Sequence, residues 1–382
     1  MTKTINLLRE FSIPLLVGVV VAVLWANLDP AGYHHAMDAP LIGGLSLHFL
    51  VNELFMVLFF GIAAVEITQS CLPGGDLNPI HKAVNPLLGT MGGVLGPITV
   101  YLSLNHLIGA PELARGWGIP TATDIALAWL AARMVFGAKH PAVSFLLLLA
   151  VADDAIGLAI IAIFYPSPTA PVAPIWLLLT LAGILLAAFL RLKKVKNYWG
   201  YLLVGGIPSW CGLFMAHLHP ALALVVIVPF MPSASREQGH LFEDDPQEQS
   251  TLTTFEHQWK GFVDFGLFMF SLANAGVEFS SVGSVTVLVL VALLLGKTIG
   301  IFSFSMIGSL VGFPLPAGMS PRDLITAGMI AGTGFTVALF VAGEAFTDPL
   351  ITGAAKMGAM MSLSAAVCGL LLGVVLRIKK QC

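Results

Sequence analysis

Leu146-Leu147-Leu148-Leu149-Ala150-Val151-Ala152-Asp153-Asp154-Ala155-Ile156-Gly157 sets two adjacent carboxylates inside an apolar run. The run continues apolar through 155–164, so the acids do not sit in a loop at its end. An isolated Asp at the centre of a bilayer helix costs about 2.5–3.5 kcal/mol on insertion scales, so a pair persists only with partners or water around it. Neighbouring helical positions point about 100° apart, which lets one acid face a fixed partner while the other faces a cavity. Two close acids also repel each other, and their titrations are coupled.

The rest of the chain is equally apolar. Of 382 residues, 57% are hydrophobic and 10% charged, and mean hydropathy is +0.90. A soluble domain carries about 25% charged residues, so this composition argues against a soluble enzyme or a nucleic-acid binder. A bilayer span needs about 20 apolar residues. Apolar runs at 11–28, 49–69, 84–107, 118–136, 141–164, 173–191, 198–214, 216–231, 257–279, 283–311, 323–346 and 350–377 predict an all-α polytopic membrane protein of about 12 transmembrane helices. The whole of 1–382 reads as a single integral membrane transporter domain. The run at 11–28 is too long for the apolar core of a secretory signal and reads as the first span. Gly43-Gly44 between short apolar runs suggests a small hairpin at 37–48, and 233–256 is the longest polar loop. Cys71, Cys211, Cys368 and Cys382 fit no disulfide framework or metal spacing and read as packing residues.

The net charge of -3 says little, because in a membrane protein the position of charge matters more than its sum. With an internal N-terminus, Lys3, Arg9, Lys82, Arg133, Lys139, Arg191, Lys193, Lys194, Lys196, Arg236, Lys260, Arg322, Arg377, Lys379 and Lys380 all fall on the cytoplasmic side. Only Arg115 and Lys356 fall opposite, and Lys297 lies within a span, which places both termini in the cytoplasm.

Spans 3–5 and 10–12 enter from opposite sides, as an inverted-topology pair would. The middle member of each triplet is interrupted, by Gly118-Ile119-Pro120-Thr121-Ala122-Thr123-Asp124 in span four and by Gly328 and Ala331-Gly332-Thr333-Gly334-Phe335-Thr336 in span eleven. Corresponding interrupted helices point to a transporter's midplane binding site, because broken ends leave backbone groups free for ions. The bland reading is ordinary kinks with small-residue packing.

Lys297, in Gly296-Lys297-Thr298, sits inside span ten. A buried lysine loses its proton or finds an acid, and a span-five aspartate is the natural counter-ion. Asp124 is the third buried carboxylate, beside the Thr123 hydroxyl. Carboxylate, hydroxyl, carbonyl and water are the oxygen ligands that a hard cation such as sodium takes. Asp124 could instead neutralise Lys297 or the broken helix ends. A carboxylate that holds either a proton or a sodium ion, open to one side at a time, exchanges one for the other. Composition alone equally allows proton symport at the same acids.

Together, Ile119-Pro120-Thr121-Ala122-Thr123-Asp124-Ile125-Ala126, Asp153-Asp154, Ala273-Asn274-Ala275-Gly276-Val277, Gly296-Lys297-Thr298-Ile299-Gly300 and Gly332-Thr333-Gly334-Phe335-Thr336 closely resemble the bacterial NhaA-type sodium/proton antiporter family, in order from about residue 11 to 380. The resemblance implies broken helices four and eleven crossing at the midplane, a homodimer joined partly through a periplasmic hairpin, and location in the bacterial inner membrane. It implies electrogenic exchange of intracellular Na+ or Li+ for external H+, two protons per sodium, serving sodium and pH homeostasis, with no cofactor and no nucleic-acid partner. By position, Asp154 and Asp153 match the ion- and proton-binding pair, with Asp153 paired to Lys297, and Thr123 and Asp124 match the supporting pair in the unwound helix. Glu66, Glu256, His257 and His219 match positions linked to pH response. Gln69 and Ser70 stand where charged residues are expected, and the His-Pro-Trp expected after His257 is absent, so the pH profile departs from the family pattern. His219 reads equally well as a hydrogen-bonded packing residue.

Two other classes remain open on residues alone. An intramembrane aspartyl enzyme would converge Asp124 and Asp154 on a water, but the Lys297 cation beside the acids disfavours it. A proton-coupled symporter of an organic solute would show solute uptake and no sodium response.

Overall fold

In the computed structural model, residues 13–42, 44–73, 75, 80–166, 171–233 and 250–380 are described. Lys3, Arg9, Arg236, most of the polar loop at 233–256, Cys382 and the side chain of Lys82 lie outside the described residues.

The helices are α1 (Ile13–Leu28), α2 (Pro30–Asp38), α3 (Leu47–Cys71), α4 (Ile80–Ile108), α5 (Ile125–Phe136), α6 (Pro141–Phe164), α7 (Pro174–Leu192), α8 (198–215), α9 (Thr251–Asn274), α10 (Ser284–Leu310), α11 (Pro321–Ala331), α12 (Phe335–Ala345) and α13 (Pro349–Val375). A 3₁₀ segment, Pro111–Thr121, precedes α5. Within the stretch 37–48, β1 (Pro40–Ile42) pairs antiparallel with β2 (Leu45–Ser46), turned by Gly44 at φ +85°.

Among the described residues, six helices are long and apolar enough to cross a membrane, and two bent pairs bring the number to eight. Those pairs are Pro111–Thr121 with α5, bent by 57°, and α11 with α12, bent by 45°: the two interruptions expected from the sequence. Each expected span coincides with a helix or a broken pair except 216–231. That stretch is coiled through short 3₁₀ turns at Pro220–Leu222 and Val228–Phe230. Pro220 and Pro229 cannot donate to a helical ladder, and His217 adopts a positive φ of 58°, so the apolar run cannot wind continuously. The ninth span is also shifted from the expected 257–279. Ser250 and Thr253 close a capping box that starts α9 earlier, and the helix stops at Asn274.

The chain divides into two compact units, residues 1–79 with 158–276 and residues 80–157 with 277–382, the second of the three boundaries falling inside α6. In the first unit α1 packs on α9 so closely that a Cβ at Gly18 would lie 2.5 Å from the Phe268 carbonyl. The Tyr33 hydroxyl donates to Leu272 O at 2.7 Å, and Asn274 Nδ2 donates to Asn52 Oδ1 at 2.8 Å, tying α2 and α3 to the end of α9.

The second unit repeats itself. Elements start at Pro111, Ile125 and Pro141, and again at Pro321, Phe335 and Pro349. The long helices α4 and α10 lie antiparallel, Gly89 facing Ser305, Gly92 facing Gly300 and Gly96 facing Gly296. At Gly92 a Cβ would come 2.1 Å from the Gly300 carbonyl, so the two backbones touch, as small residues permit in bilayer packing. Thr123 likewise meets Ala331, a residue 208 positions on, the same separation as Gly92 and Gly300. Antiparallel elements that touch their own counterparts are what a pseudo-two-fold axis between inverted repeats produces.

Candidate ion-binding site

Pro120 ends the first half-helix of span four, because it offers no N–H and sits at φ -84°, ψ 18°, outside helical geometry. Ala122 and Asp124 are extended, and α5 restarts with Asp124 as its N-cap, the carboxylate Oδ1 accepting from Leu127 N at 3.1 Å. In span eleven, α11 ends on Gly332 and α12 restarts after Gly334. The two breaks hold one another. Asp124 N donates to Thr333 O at 2.7 Å, and the Thr123 hydroxyl lies 2.9 Å from Ala331 O.

Helix α12 takes its cap from the other repeat. Asp124 Oδ2 accepts the Thr336 amide at 3.3 Å and the Thr336 hydroxyl as well. One carboxylate therefore faces two helix N-termini, where partial positive charge and unsatisfied N–H groups gather. The helix-end role considered for Asp124 is the one its hydrogen bonds fill.

Lys297 is fully buried and sits at the end of a π turn, Ala292–Gly296, a local widening that often marks functional positions. Its Nζ lies 2.5 Å from Asp153 Oδ2 and donates to Thr121 O at 2.7 Å, the carbonyl that closes the first half-helix. The cation thus meets a carboxylate and a negative helix end together. Asp153, also fully buried, receives the Thr123 hydroxyl at 2.8 Å on the same Oδ2. Its Oδ1 is buried with no hydrogen-bond partner among the described residues. Asp154 is 9% exposed, and the Lys297 charge acts on it through space.

The second unit thus brings Thr123, Asp124, Asp153, Asp154 and Lys297 to one locus, where Asp153 and Asp154 share one ammonium and Asp124 caps the neighbouring helix ends. Buried charge without compensation is severely unfavourable, so the cluster calls for protons or a cation to balance the excess. Oxygen ligands around it suit a hard cation. The other nominated residues belong to the first unit. Glu256 is buried and accepts from Gln69 Nε2 at 3.4 Å, Glu66 is half-buried on α3, and His257 is exposed on α9. His219 is buried with its Nε2 on the Tyr165 carbonyl.

Three contributors were not singled out from the sequence: Thr336, the Thr121 carbonyl and Ser362, whose Oγ accepts Gly334 N at 3.3 Å. Only Thr336 carried a signal, since it stands three residues after Thr333 in a motif read simply as a break.

Crossed broken helices with carboxylates and a lysine at the crossing define a secondary transporter for ions. The family model for Na+/H+ antiporter 1 matches residues 3–373, and the chain belongs to that family. It is 68% identical over 380 residues to the Na(+)/H(+) antiporter NhaA 2 of Pelobacter propionicus, covering 100% of both chains. It is 66% identical over 380 residues to the Na(+)/H(+) antiporter NhaA of Geobacter sulfurreducens, again covering 100% of both. Among solved structures, the sodium proton antiporter MjNhaP1 from Methanocaldococcus jannaschii matches with a TM-score of 0.53 at 14% identity, covering 98% of this chain and 99% of that one, a likeness of fold. The relatives are transporters, not enzymes, which sets the aspartyl-enzyme reading aside.

Proposed function

We propose that this chain exchanges intracellular Na+ or Li+ for external H+ at the Asp153–Asp154 pair, with Thr123 and Asp124 as supporting oxygen ligands. The observation that carries the reading is the charge imbalance: the buried carboxylates of Asp153 and Asp154 share a single ammonium, and Asp153 already holds it. One cation balances that single excess charge as one proton does, so the two cargoes compete for the same oxygens. The exchange is electrogenic at two protons per sodium, one proton from Asp154 and the second from the coupled Asp153–Lys297 pair. Each cycle then moves charge, and membrane voltage drives it. Glu66, Glu256, His257 and His219 set the pH response. The working protein is a homodimer of the bacterial inner membrane, joined partly through the β1–β2 hairpin, with both termini cytoplasmic. No cofactor takes part.

Everted membrane vesicles, energised to acidify their interior, test the assignment. Addition of sodium or lithium collapses the proton gradient with the wild-type protein. The Asp154→Asn variant, present at wild-type level, gives no collapse; a normal response in that variant refutes the site assignment.

A further inference from the structure

We infer that Thr333 is a positioning residue of the exchange: a reserve N-cap that takes over α12 when Asp124 turns from that helix to a cation. This rests on the reading that Asp124 contributes to the cation site.

Helix α12 has no side-chain cap of its own. Its first N–H groups are held from elsewhere, Gly334 N by Ser362 Oγ and Thr336 N by Asp124 Oδ2. If Asp124 rotates towards a cation, the Thr336 amide and hydroxyl lose their acceptor in a dry interior, where an unmet donor is unfavourable.

Thr333 stands three residues before Thr336, the spacing of a capping box. The same chain closes such a box at α9. There Thr253 N donates to Ser250 Oγ at 3.2 Å, and the two hydroxyls lie 3.1 Å apart. Ser320 and Asp323 close another at the start of α11. At α12 the box stands open. Thr333 is fully buried, and its Oγ1 has no hydrogen-bond partner among the described residues. Closing it needs the ψ of Gly334 to turn from 13° into the helical range, a rotation that glycine allows, and its carbonyl already accepts Ala338 N at 2.9 Å. Once closed, Thr333 Oγ1 accepts both donors that Asp124 releases, and the carboxylate is free to meet the ion.

The test uses purified full-length protein, with sodium affinity by calorimetry and thermal stability in sodium-free buffer. Thr333→Val keeps the shape and removes the hydroxyl; Thr333→Ser keeps the hydroxyl. Thr333→Val leaves sodium-free stability unchanged or higher, and weakens apparent sodium affinity about five-fold, the value of one N-cap. Thr333→Ser restores it. Wild-type affinity in Thr333→Val, equal weakening in both variants, or a loss of sodium-free stability in Thr333→Val would each overturn the proposal. Asp124→Asn separates the two layers: sodium affinity unaffected by that change refutes the role of Asp124 itself, whatever the Thr333 variants do.

Discussion

The two repeats of the second unit share a backbone plan and differ in charge. In the first, the break carries Asp124, and α6 carries Asp153 and Asp154. At the separation of 208 residues seen between Thr123 and Ala331, the acids of α6 correspond to Met361 and Ser362 on α13. In the break itself, the residue 208 positions after Asp124 is Gly332. Lys297 reverses the pattern, since its counterpart 208 residues earlier on α4 is Gly89. The ends of the broken helices are treated accordingly. Thr121 O, closing the first half-helix, is met by an ammonium, whereas Ala331 O, closing α11, is met by a neutral hydroxyl. A symmetric frame with asymmetric charge concentrates anionic oxygen at one place, and both helix restarts lean on the same carboxylate.

The sharpest way to break this comparison is to strip the anion from the pair. Asp153→Asn leaves the Lys297 ammonium buried without its partner and lowers stability by about 3–5 kcal/mol. Adding Lys297→Met to Asp153→Asn recovers most of that loss, because two neutral groups replace an isolated charge. Thermal unfolding of the purified variants checks both values. A double variant no more stable than Asp153→Asn would mean that the pair does not act as a unit.

A smaller effect separates shared from private caps. Asp124→Ala made together with Thr333→Val, which also withdraws the reserve cap of α12, uncaps α5 and α12 and costs about 2 kcal/mol or more, whereas Ser320→Ala uncaps only α11 and costs about 1 kcal/mol. Equal losses, measured by the same unfolding assay, would show that Asp124 serves a single helix.

The sequence made the membrane architecture and the charged cluster legible for one reason: charge inside apolar runs is costly, so Asp153, Asp154 and Lys297 stood out against their surroundings. Pro120 and Gly332 marked the breaks by the same kind of contrast. Thr336 and Ser362 did not stand out, because a hydroxyl is a common small residue in bilayer helices and its role depends on what crosses it. The stretch at 216–231 misled for the converse reason. Its hydropathy is that of a span, yet two prolines and a residue at positive φ decide its conformation. At α9 the apolar pattern was outweighed by a capping box that begins the helix within polar sequence. The bond between Gln69 and Glu256 shows a neutral amide where a charge was expected, a partner that hydropathy could not supply.

The proposed exchange rests on one site that holds protons or a cation but not both. The direct measurement is calorimetry of sodium binding to the purified protein, repeated over a range of pH and in buffers of different ionisation enthalpy, which counts the protons released per ion bound. Competition predicts proton release on sodium binding and an apparent affinity that rises as pH rises, both lost in Asp154→Asn. Sodium binding with no proton release and no dependence on pH would contradict it.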